Sequence, residues 1–385
     1  MKFLGFKRPD GKVGVRNHVI ILPSVVCSSE VCDAIAKKVK GVISIPHPHG
    51  CAQLTQDAEQ TARTLIGIGR NPNVAAVLVI GLGCEVVNPF MIGSKIGESG
   101  KLVKSLVIQE VGGTPKTVKE GIKIVRHMLT YASRFKRERV SIDSLILGGE
   151  CGGSDACSGL SANPALGITS DLLIKESGTV ILSETTESIG AEHILAKRAI
   201  NRVVRMKILE IVSRTEMRAL SLGVDIARAN PTPGNYKGGI TTLEEKSLGC
   251  VMKGGTSRIM EVLEYAERPT RKGLVLMDTP GQDAESVTGL VAGGVQIIAF
   301  TTGRGTPLGS PIAPVIKIAT NSYVYAKMRE NMDINAGEII TGNKSVQDIG
   351  EKIFHEIIRV ASGKLTKSEI LGHREFAINR IGPSF

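Results

Sequence analysis

The chain has 385 residues, enough for two or three domains, and its formal net charge is +11. Glycine is abundant, with 44 residues, whereas aromatic residues make up 3% and tryptophan is absent. This composition indicates a turn-rich α/β protein and excludes the aromatic platforms on which single-stranded nucleic acids stack. Because the lysines and arginines are dispersed, the charge favours acidic small molecules over nucleic acid as partners.

The N-terminal residues lack the apolar core of a secretion signal, and the longest apolar runs, such as Val74 to Leu82, are too short to cross a bilayer. We therefore expect a cytoplasmic protein without a membrane partner. The seven cysteines are an odd number in a long chain. They predict reduced thiols that are either inert or metal-binding.

Up to about residue 185, short β-branched apolar runs alternate with helical segments, which is the pattern of successive β-α units. The predicted strands are His18 to Val26, Val42 to Pro46, Val74 to Gly81, Lys104 to Gln109, Ser144 to Gly148 and Thr179 to Ser183. The predicted helices are Ser29 to Lys40, Asp57 to Gly69 and Lys116 to Phe135. Runs that are apolar throughout indicate strands covered on both faces.

The second half begins with a predicted helix from Ile200 to Leu222 and a Pro/Gly-rich loop over residues 230–239. Three strands (Leu274 to Asp278, Gln296 to Phe300 and Val315 to Ile318) and a helix from Ser345 to Ala361 follow. We predict an α/β fold of two lobes, residues 1–185 and 186–385. Each lobe is a parallel, helix-covered sheet with Rossmann-like or flavodoxin-like layering, and the site lies at the carboxyl ends of the strands.

The segment from Ile146 to Gly167 has the densest chemistry in the chain. Glycines let the backbone approach a ligand closely, and Cys151, Asp155 and Asn163 supply reactive or polar groups that a packing loop does not need. The segment predicts a site for a small polar ligand.

Four cysteines fall at or just beyond the carboxyl ends of predicted strands: Cys27, Cys51, Cys84 and Cys151. Thiolates that converge from separate strands can hold iron, either as one ion or as a cluster with an open iron. The alternative is that they pack as small hydrophobes, which we favour for Cys32 and Cys250 on helical stretches.

Histidines and carboxylates add to these strand ends. His47 and His49 precede Cys51, and His193 follows Glu192. Arg304 lies between glycines after a strand, where it can bind a carboxylate with two hydrogen bonds. The flanks of these glycine loops do not match a nucleotide-binding motif, so a nucleotide cofactor is not predicted.

Many ordered motifs resemble those of the altronate and galactarate dehydratase family, which includes the large subunit of sulfolactate sulfo-lyase. The resemblance spans nearly the whole chain. The motifs are Gly11-Lys-Val-Gly-Val-Arg-Asn17, His47-Pro-His-Gly-Cys51, Gly81-Leu-Gly-Cys-Glu85, Val107-Ile-Gln-Glu-Val-Gly-Gly113, Cys151-Gly-Gly-Ser-Asp155, Ala162-Asn-Pro-Ala-Leu-Gly167, Ser183-Glu-Thr185, Gly190-Ala-Glu-His193, Asn230-Pro-Thr-Pro-Gly-Asn235, Leu243-Glu-Glu-Lys-Ser-Leu-Gly249, Met277-Asp-Thr-Pro-Gly281, Thr301-Thr-Gly-Arg-Gly305 and Met332-Asp-Ile-Asn335.

The resemblance implies that water is eliminated from a polyhydroxy acid to give a 2-keto-3-deoxy acid, with Fe²⁺ as cofactor and Mn²⁺ as an alternative ion. Relatives often carry a small domain ahead of the Gly11 motif. We therefore expect either that a separate small subunit completes the enzyme or that this chain functions without that domain, and we expect a homo- or hetero-oligomer. Ala336 stands where relatives frequently have cysteine, so a thiol is not required there.

The family's chemistry suggests a role for each candidate side chain. We assign metal binding to Cys51, Cys84, Cys151 and His47, and acid–base catalysis to His193, Glu184 and Glu192. We assign substrate binding to Arg16, Asn17, Ser154, Asp155, Asn163, Lys237 and Arg304. Among these, Arg16, Lys237 and Arg304 are the predicted anion clamps.

Two alternatives remain open from the sequence. A sulfolactate sulfo-lyase would expel sulfite instead of water through the same α-proton chemistry. A non-catalytic binding protein would keep the fold and use the glycine loops only to hold an anion.

Overall fold

The computed structural model describes residues 1–385. Its strands are β1 Lys2–Lys7, β2 Val13–Gly14, β3 His18–Pro23, β4 Val42–Ser44, β5 Val74–Gly81, β6 Leu102–Val107, β7 Glu138–Ser141, β8 Ile146–Gly152, β9 Thr179–Leu182, β10 Ile259–Leu263, β11 Gly273–Met277, β12 Ile297–Thr302, β13 Val315–Ala319 and β14 Ile334–Asn335.

Its helices are α1 Ser29–Lys38, α2 Thr55–Arg70, α3 Pro89–Gly97, α4 Ile108–Val111, α5 Thr114–Ala132, α6 Ala162–Lys175, α7 Glu192–Lys197, α8 Arg202–Ser221, α9 Ile226–Ala229, α10 Pro233–Lys237, α11 Leu243–Cys250, α12 Asp283–Ala292, α13 Ser322–Lys327, α14 Val346–Ala361 and α15 Lys367–Leu371. None of them combines the length and apolar character that a bilayer crossing requires.

The first large sheet has four parallel strands in the order β4-β3-β5-β6. All eight residues of β5 are buried, because helices cover both faces of the sheet. A smaller antiparallel sheet, β2-β1-β7, lies at the start of the chain and was not predicted.

The second large sheet has seven strands in the order β10-β11-β9-β8-β12-β13-β14, and every neighbouring pair is parallel. Strands β8 and β9 lie at its centre, although they precede residue 185 in the chain. The lobe division predicted at residue 185 therefore runs through this sheet. The pairing of β8 with β12 brings their ends together, with Cys151 opposite Thr301.

An apolar core joins the two sheets. Val79 of β5, Met277 of β11 and Phe300 of β12 belong to one buried cluster. Helices α2 and α12 pack against each other in this layer, where a Cβ on Gly67 would lie 2.4 Å from the Ala292 carbonyl oxygen. Only glycine permits this approach, so the two sheets are held closely together.

The predicted α/β architecture is confirmed. Each of the nine predicted strands overlaps an observed one, and β5 has the predicted bounds. Of the missed strands, β2, β7, β10 and β14 lie at sheet edges, and β1 is the middle strand of the small antiparallel sheet. The two shortest, β2 and β14, are too brief to show a periodicity.

Candidate active site

The centre of the seven-stranded sheet ends in buried charged groups. Cys151 lies near the carboxyl end of β8, and Glu184 follows β9. Glu184 has a φ of 66°, in the left-handed region that non-glycine residues rarely adopt. Its carboxylate accepts a hydrogen bond of 2.9 Å from the Cys151 backbone N–H. Backbone strain of this kind often occurs at functional sites.

Lys253 joins Cys151 to Glu184. The lysine, which lies in a 3₁₀ turn after α11, donates 2.8 Å to Cys151 Sγ and 2.6 Å to Glu184 Oε2. Burial alone would lower the pKa of Lys253, but Cys151 and Glu184 raise it well above its ordinary value. The protonated side chain of Lys253 is thus stabilised in the protein interior by the sulfur and the carboxylate that it contacts.

The network continues outward through Cys250 and Glu187. The two sulfur atoms of Cys151 and Cys250 are 3.2 Å apart, and the Cys250 thiol donates 3.3 Å to Glu187 Oε2. Lys246 pairs with Glu187 at 2.6 Å. The Cys151 contact and burial raise the pKa of Cys250, so this thiol stays protonated.

Glu150 forms the inner wall of the network. Its Oε2 accepts hydrogen bonds of 2.7 Å from Ser183 and Ser286, while its buried Oε1 has no partner. Burial, followed by the nearby Glu184, raises its pKa well above the usual range. Burial and the nearby negative charge thus favour the protonated, neutral form of this carboxyl group.

Asp283, the first residue of α12, is the acid–base candidate of this edge. Burial and the neighbouring carboxylates of Glu184 and Glu187 raise its pKa to about 7. Asp283 is partly exposed, and a Cβ on Gly152 would lie 2.4 Å from its Oδ2. A carboxyl group with this pKa exists in both protonation states at neutral pH, as general acid–base catalysis requires.

Two cavities meet at Asp155. The first has a volume of about 440 Å³ and is lined by Ser154, Asp155, Lys246 and Met252, among others. Asp155 is fixed by hydrogen bonds of 2.8 Å from Thr320 Oγ1 and Asn321 Nδ2. Lys246 connects this cavity to the buried network.

The second cavity is strongly basic. Its volume is about 380 Å³, and Lys237, Arg304 and Lys327 line it together with Asp155 and Asn321. Three cations around one carboxylate suit an anionic ligand. Lys237 and Arg304, two of the three predicted anion clamps, therefore come together.

Other predicted substrate residues have structural roles. Arg16 is buried, where it pairs with Glu369 at 2.6 Å and donates to three backbone carbonyl groups. Asn17 accepts from Arg8 and donates to the Ala132 carbonyl. The folded chain already uses the guanidinium of Arg16, so this residue does not join Lys237 and Arg304 at the basic cavity, and its assignment as an anion clamp stays a prediction.

Asn163 is also used by the fold. Its amide group donates to the Gly249 carbonyl and accepts from Thr301. His193, by contrast, is exposed at the start of α7 and makes no hydrogen bond. Glu192 has one buried oxygen without a partner. Neither His193 nor Glu192 contacts the Lys253 network, so their catalytic assignment stays a prediction.

The four predicted metal ligands are not brought together. Cys51 and Cys84 lie on loops of the four-stranded sheet, whereas Cys151 contacts Lys253 in the other sheet. His47 Nε2 donates to the Pro23 carbonyl, and its Nδ1 accepts from the His49 N–H. Burial lowers the pKa of His47 to about 4. No group of three or more His, Cys, Asp or Glu side chains could hold a single metal ion.

Several residues of the site were missed from the sequence. Lys246 lies inside a motif quoted for the family resemblance, and Glu150 directly precedes Cys151. The sequence marks Lys253 and Asp283 only weakly. A glycine pair follows Lys253, and Asp283 stands at the start of a helix. The prediction that Cys250 only packs is wrong, because its sulfur contacts both Cys151 and Glu187.

Two family models match the chain. Residues 142–384 match the C-terminal region of D-galactarate/altronate dehydratase, and residues 5–133 match the second domain of D-galactarate dehydratase/altronate hydrolase. Their border falls between the two large sheets, since β8 begins at Ile146.

Named relatives agree with these matches. The chain is 38% identical over 381 residues to (2R)-sulfolactate sulfo-lyase subunit beta of Chromohalobacter salexigens, covering 98% of this chain and 97% of the relative. It is 36% identical to altronate dehydratase of Bacillus subtilis, over 99% of this chain and 78% of the relative. It is 38% identical to galactarate dehydratase (L-threo-forming) of Escherichia coli, over 99% of this chain and 77% of the relative. The chain therefore belongs to the galactarate and altronate dehydratase family of lyases.

Proposed function

From this family membership and the site geometry, we propose that the chain is a hydro-lyase that removes water from a sugar acid such as altronate or galactarate. The observation that carries the proposal is the end of β8, where Gly152 closes the strand and Gly153 follows it. Asp283 packs against Gly152, and a Cβ on Gly153 would lie 3.4 Å from Arg304 Cβ. An acid–base group and an anion-binding guanidinium thus flank adjacent residues, which suits proton removal beside a bound carboxylate.

The basic cavity supplies the carboxylate site. Arg304, Lys237 and Lys327 hold the substrate carboxylate next to the carbon that loses its proton. When that proton leaves, negative charge spreads onto the carboxylate oxygens, and the same cations stabilise it. Asp155, held by Thr320 and Asn321, retains lone pairs that can accept hydrogen bonds from substrate hydroxyl groups.

Asp283 transfers the proton. Its ionised form takes the proton α to the carboxylate, and the electron pair of that bond forms the double bond as the β-hydroxyl departs. The proton is returned to the departing oxygen, so that water leaves and an enol remains. The enol then tautomerises to the 2-keto-3-deoxy acid without a net change in protons.

The charged groups of the buried network shift the pKa of Asp283. Glu184 and Glu187 raise its pKa, while Lys246 and Lys253 lower it. These charges are fixed by short hydrogen bonds inside the protein, where water does not screen them. The network therefore keeps the pKa of Asp283 near neutrality, which is the condition for taking and returning a proton at the same site.

Iron remains part of the proposal as the family's expected cofactor. The predicted set of Cys51, Cys84, Cys151 and His47 does not fit a single ion, because Cys151 and His47 are bonded elsewhere. A bound iron would supply a Lewis acid for a hydroxyl oxygen. The steps above use only the chain's own residues.

We also propose that a smaller second chain completes the enzyme. One relative is itself named a subunit beta, which supports an assembly of more than one kind of chain. Activity measured with and without such a partner chain tests this. Full activity of the isolated chain would refute the requirement.

A sulfo-lyase function is the second candidate. It is favoured by the match to sulfolactate sulfo-lyase subunit beta, of which the chain covers 97%, compared with 77–78% of the dehydratases. The same base would remove the α-proton, but sulfite would leave in place of water. The basic cavity suits a sulfonate as well as a carboxylate.

The deciding experiment offers altronate, galactarate and (2R)-sulfolactate separately to the purified protein, anaerobically with Fe²⁺ and a thiol reductant. We expect a 2-keto-3-deoxy acid from a sugar acid. Sulfite release from sulfolactate alone would establish the second candidate instead. If no substrate is turned over even with the partner chain, both candidates fail.

A further inference from the structure

A third cavity, of about 450 Å³, lies where the two large sheets meet. Helices α2 and α3, which pack on the four-stranded sheet, form one wall. The loop after β10 and the end of α12, which belong to the seven-stranded sheet, form the other. No residue assigned to substrate binding, acid–base catalysis or metal binding lines this inter-sheet cavity. It is therefore separate from the proposed active site.

The charged side chains that line the inter-sheet cavity are four cations and two carboxylates. They are Arg63, Arg70, Lys95, Arg268, Glu59 and Glu267. Three of them have partners within the chain. Arg63 donates 2.8 Å to the Tyr265 carbonyl, Lys95 pairs with Glu98 at 2.8 Å, and Glu267 accepts 3.0 Å from the Glu264 N–H. The cations with the most unused donors are Arg70 and Arg268.

The guanidinium groups of Arg70 and Arg268 contain buried donors without acceptors. Nε and Nη2 of Arg268 have no hydrogen-bond partner, and neither has Nε of Arg70. Arg70 Nη1 is 3.8 Å from the Glu98 carboxylate, which is too far for a hydrogen bond. Nε and Nη2 of an arginine point to the same side and form the fork that binds an oxyanion with two parallel hydrogen bonds. In Arg268 this fork is unused.

The charges around Arg268 add to the effect of its burial. Burial and then the positive charge of Arg70 lower the pKa of Arg268 to about 10, and the opposing effect of Asp10 is smaller. The guanidinium is therefore protonated at neutral pH, desolvated and repelled by a second cation. An anion in contact with both arginines would remove the repulsion and satisfy the unused donors.

Capping of α12 does not explain Arg268. Its side chain lies beside the end of this helix, since a Cβ on Gly294 would be 3.8 Å from Arg268 Nε. The Val291 carbonyl in the last turn, however, accepts 2.8 Å from Asn71 Nδ2 and 3.0 Å from the Gly294 N–H. The unused fork of Arg268 is thus available to a group from outside the chain.

The remaining wall of the inter-sheet cavity is largely apolar. Ala62 and Ile66 of α2, Met91 of α3 and Ala292 of α12 line it. Met91 is 40% exposed, although methionine usually packs in the core. A ligand that fits these walls combines an apolar body with an anionic group.

We propose that the inter-sheet cavity binds a small organic phosphate, whose phosphate group pairs with Arg70 and Arg268 and whose apolar body lies against Ile66 and Met91. A phosphate monoester carries a charge of about −1.5 to −2 at pH 7 and has three acceptor oxygens. It can neutralise two guanidinium groups and accept from the three unused N–H donors, whereas a carboxylate brings one charge and two oxygens. Because the walls belong to different sheets, the bound ligand holds the sheets together.

The test titrates the purified protein with phenyl phosphate by isothermal calorimetry. Inorganic phosphate and phenol probe the phosphate group and the apolar body alone. Arg268→Met and Arg70→Met remove the donors, and Ala62→Phe fills the cavity without changing its charge. One control is Arg271→Met, at an exposed arginine of the same loop that does not line the cavity. The other is Arg304→Met, at the basic cavity of the proposed active site.

We expect phenyl phosphate to bind the parent and both controls at least about tenfold more tightly than inorganic phosphate does, and phenol not to bind. In Arg268→Met, Arg70→Met and Ala62→Phe, the Kd for phenyl phosphate should rise about tenfold or more. Without ligand, Arg268→Met should melt at or above the temperature of the parent, because the variant removes a buried cation that has no partner.

Four titration results would each overturn the proposal: no binding of phenyl phosphate, equal binding of inorganic phosphate, binding that persists in Arg268→Met, or binding that is lost in Arg304→Met. A lower melting temperature of ligand-free Arg268→Met would also contradict it, since the guanidinium would then already stabilise the fold. None of these measurements uses turnover, so the site is tested independently of the proposed lyase function.

Discussion

The carboxyl edges of the two large parallel sheets both carry cysteines, but in opposite surroundings. At the seven-stranded sheet, Cys151 and Cys250 are 3% exposed and lie against Lys253 and Glu187. At the four-stranded sheet, Cys27, Cys51 and Cys84 are exposed and have no side-chain partner. The same residue type at the same topological position is thus part of a charge network at one sheet edge and exposed to solvent at the other.

The difference comes from what covers each edge. The turn carrying Lys253 packs against β9, and Lys253 and Cys250, the last residue of α11, contact Cys151 at the end of β8. The buried groups there must therefore satisfy one another. The loops of the four-stranded sheet leave their thiols open to solvent. Each prediction below tests one side of this contrast, beginning with the largest expected effect.

Replacing Asp283 by Asn should remove the proton-transfer group of the covered edge. We expect turnover to fall by about 10²–10⁴-fold, because general acid–base catalysis contributes factors of this size. The limb of the pH–rate profile near pH 7 should disappear as well. The matched control is Glu285→Gln in the same helical turn, which should keep that limb. An unchanged profile in Asp283→Asn would exclude Asp283 as the acid–base group.

The Asp283→Asn variant also tests how the raised pKa of Asp283 makes the stability of the fold depend on pH. The folded-state pKa of Asp283 is raised above its unfolded value, so the native protein binds more protons between about pH 4 and pH 7. The parent should therefore lose stability relative to Asp283→Asn as the pH rises through this range. Chemical denaturation of both proteins at several pH values measures this difference in the free energy of unfolding. Parallel curves of that free energy against pH would contradict the raised pKa.

Alkylation of the thiols separates the two edges directly. In protein stripped of metal, iodoacetamide should modify Cys27, Cys51 and Cys84 rapidly. Cys151 and Cys250 should react slower by about 10³-fold or more, because exposing them requires an opening that costs roughly 5 kcal/mol. Peptide mass spectrometry over time gives each rate. Comparable rates at both edges would remove the contrast.

Replacing Lys253 by Met should destabilise the fold. The variant leaves Glu184 buried without its cation, and breaking a buried pair costs about 3–5 kcal/mol. Urea denaturation measures the change in the free energy of unfolding. The control Lys352→Met breaks an exposed pair with Glu338 and should cost about 0–1 kcal/mol. Equal effects in the two variants would mean that burial does not strengthen the network.

Replacing Arg304 by Met should weaken substrate binding. A charge-assisted hydrogen bond contributes about 1.5–3 kcal/mol, so KM for the turned-over acid should rise by roughly 10–150-fold. Arg329→Met serves as control, because this arginine stacks on Tyr325 and does not line the basic cavity. A KM that rises equally in both variants would indicate an effect of net charge alone.

Much of the fold could be predicted from local pattern. The run of β5 is apolar throughout, and β3 is apolar after His18, which is the pattern of strands covered on both faces. Strands β12 and β13 are mostly apolar, with Thr301 and Thr302 at the end of β12 and Lys317 within β13. Short edge strands such as β14 were missed, because two residues carry no period. Alternating β-α units look alike in the sequence whichever sheet they join. The border between the lobes was therefore predicted near residue 185, although β8 and β9 before it belong to the seven-stranded sheet.

The candidate site was predicted in part. Asp155, Lys237 and Arg304 were identified from glycine-rich loops, and they meet at one cavity. Glu184 was identified too, although its partner Lys253 was not. A lysine next to glycines in a helical stretch resembles an ordinary surface lysine until the fold buries it beside Cys151. Asp283 was missed for the same reason, since a carboxylate at a helix start ordinarily only favours the helix dipole.

The sequence by itself determined the family, the α/β class and the positions of the glycine loops, because these depend on residue type and spacing along the chain. Only the tertiary structure decided which strand ends share a sheet, which cysteines are covered and which cation faces which carboxylate. The physical reason is that burial and charge pairing act through space, between residues as far apart in the chain as Cys151 and Lys253.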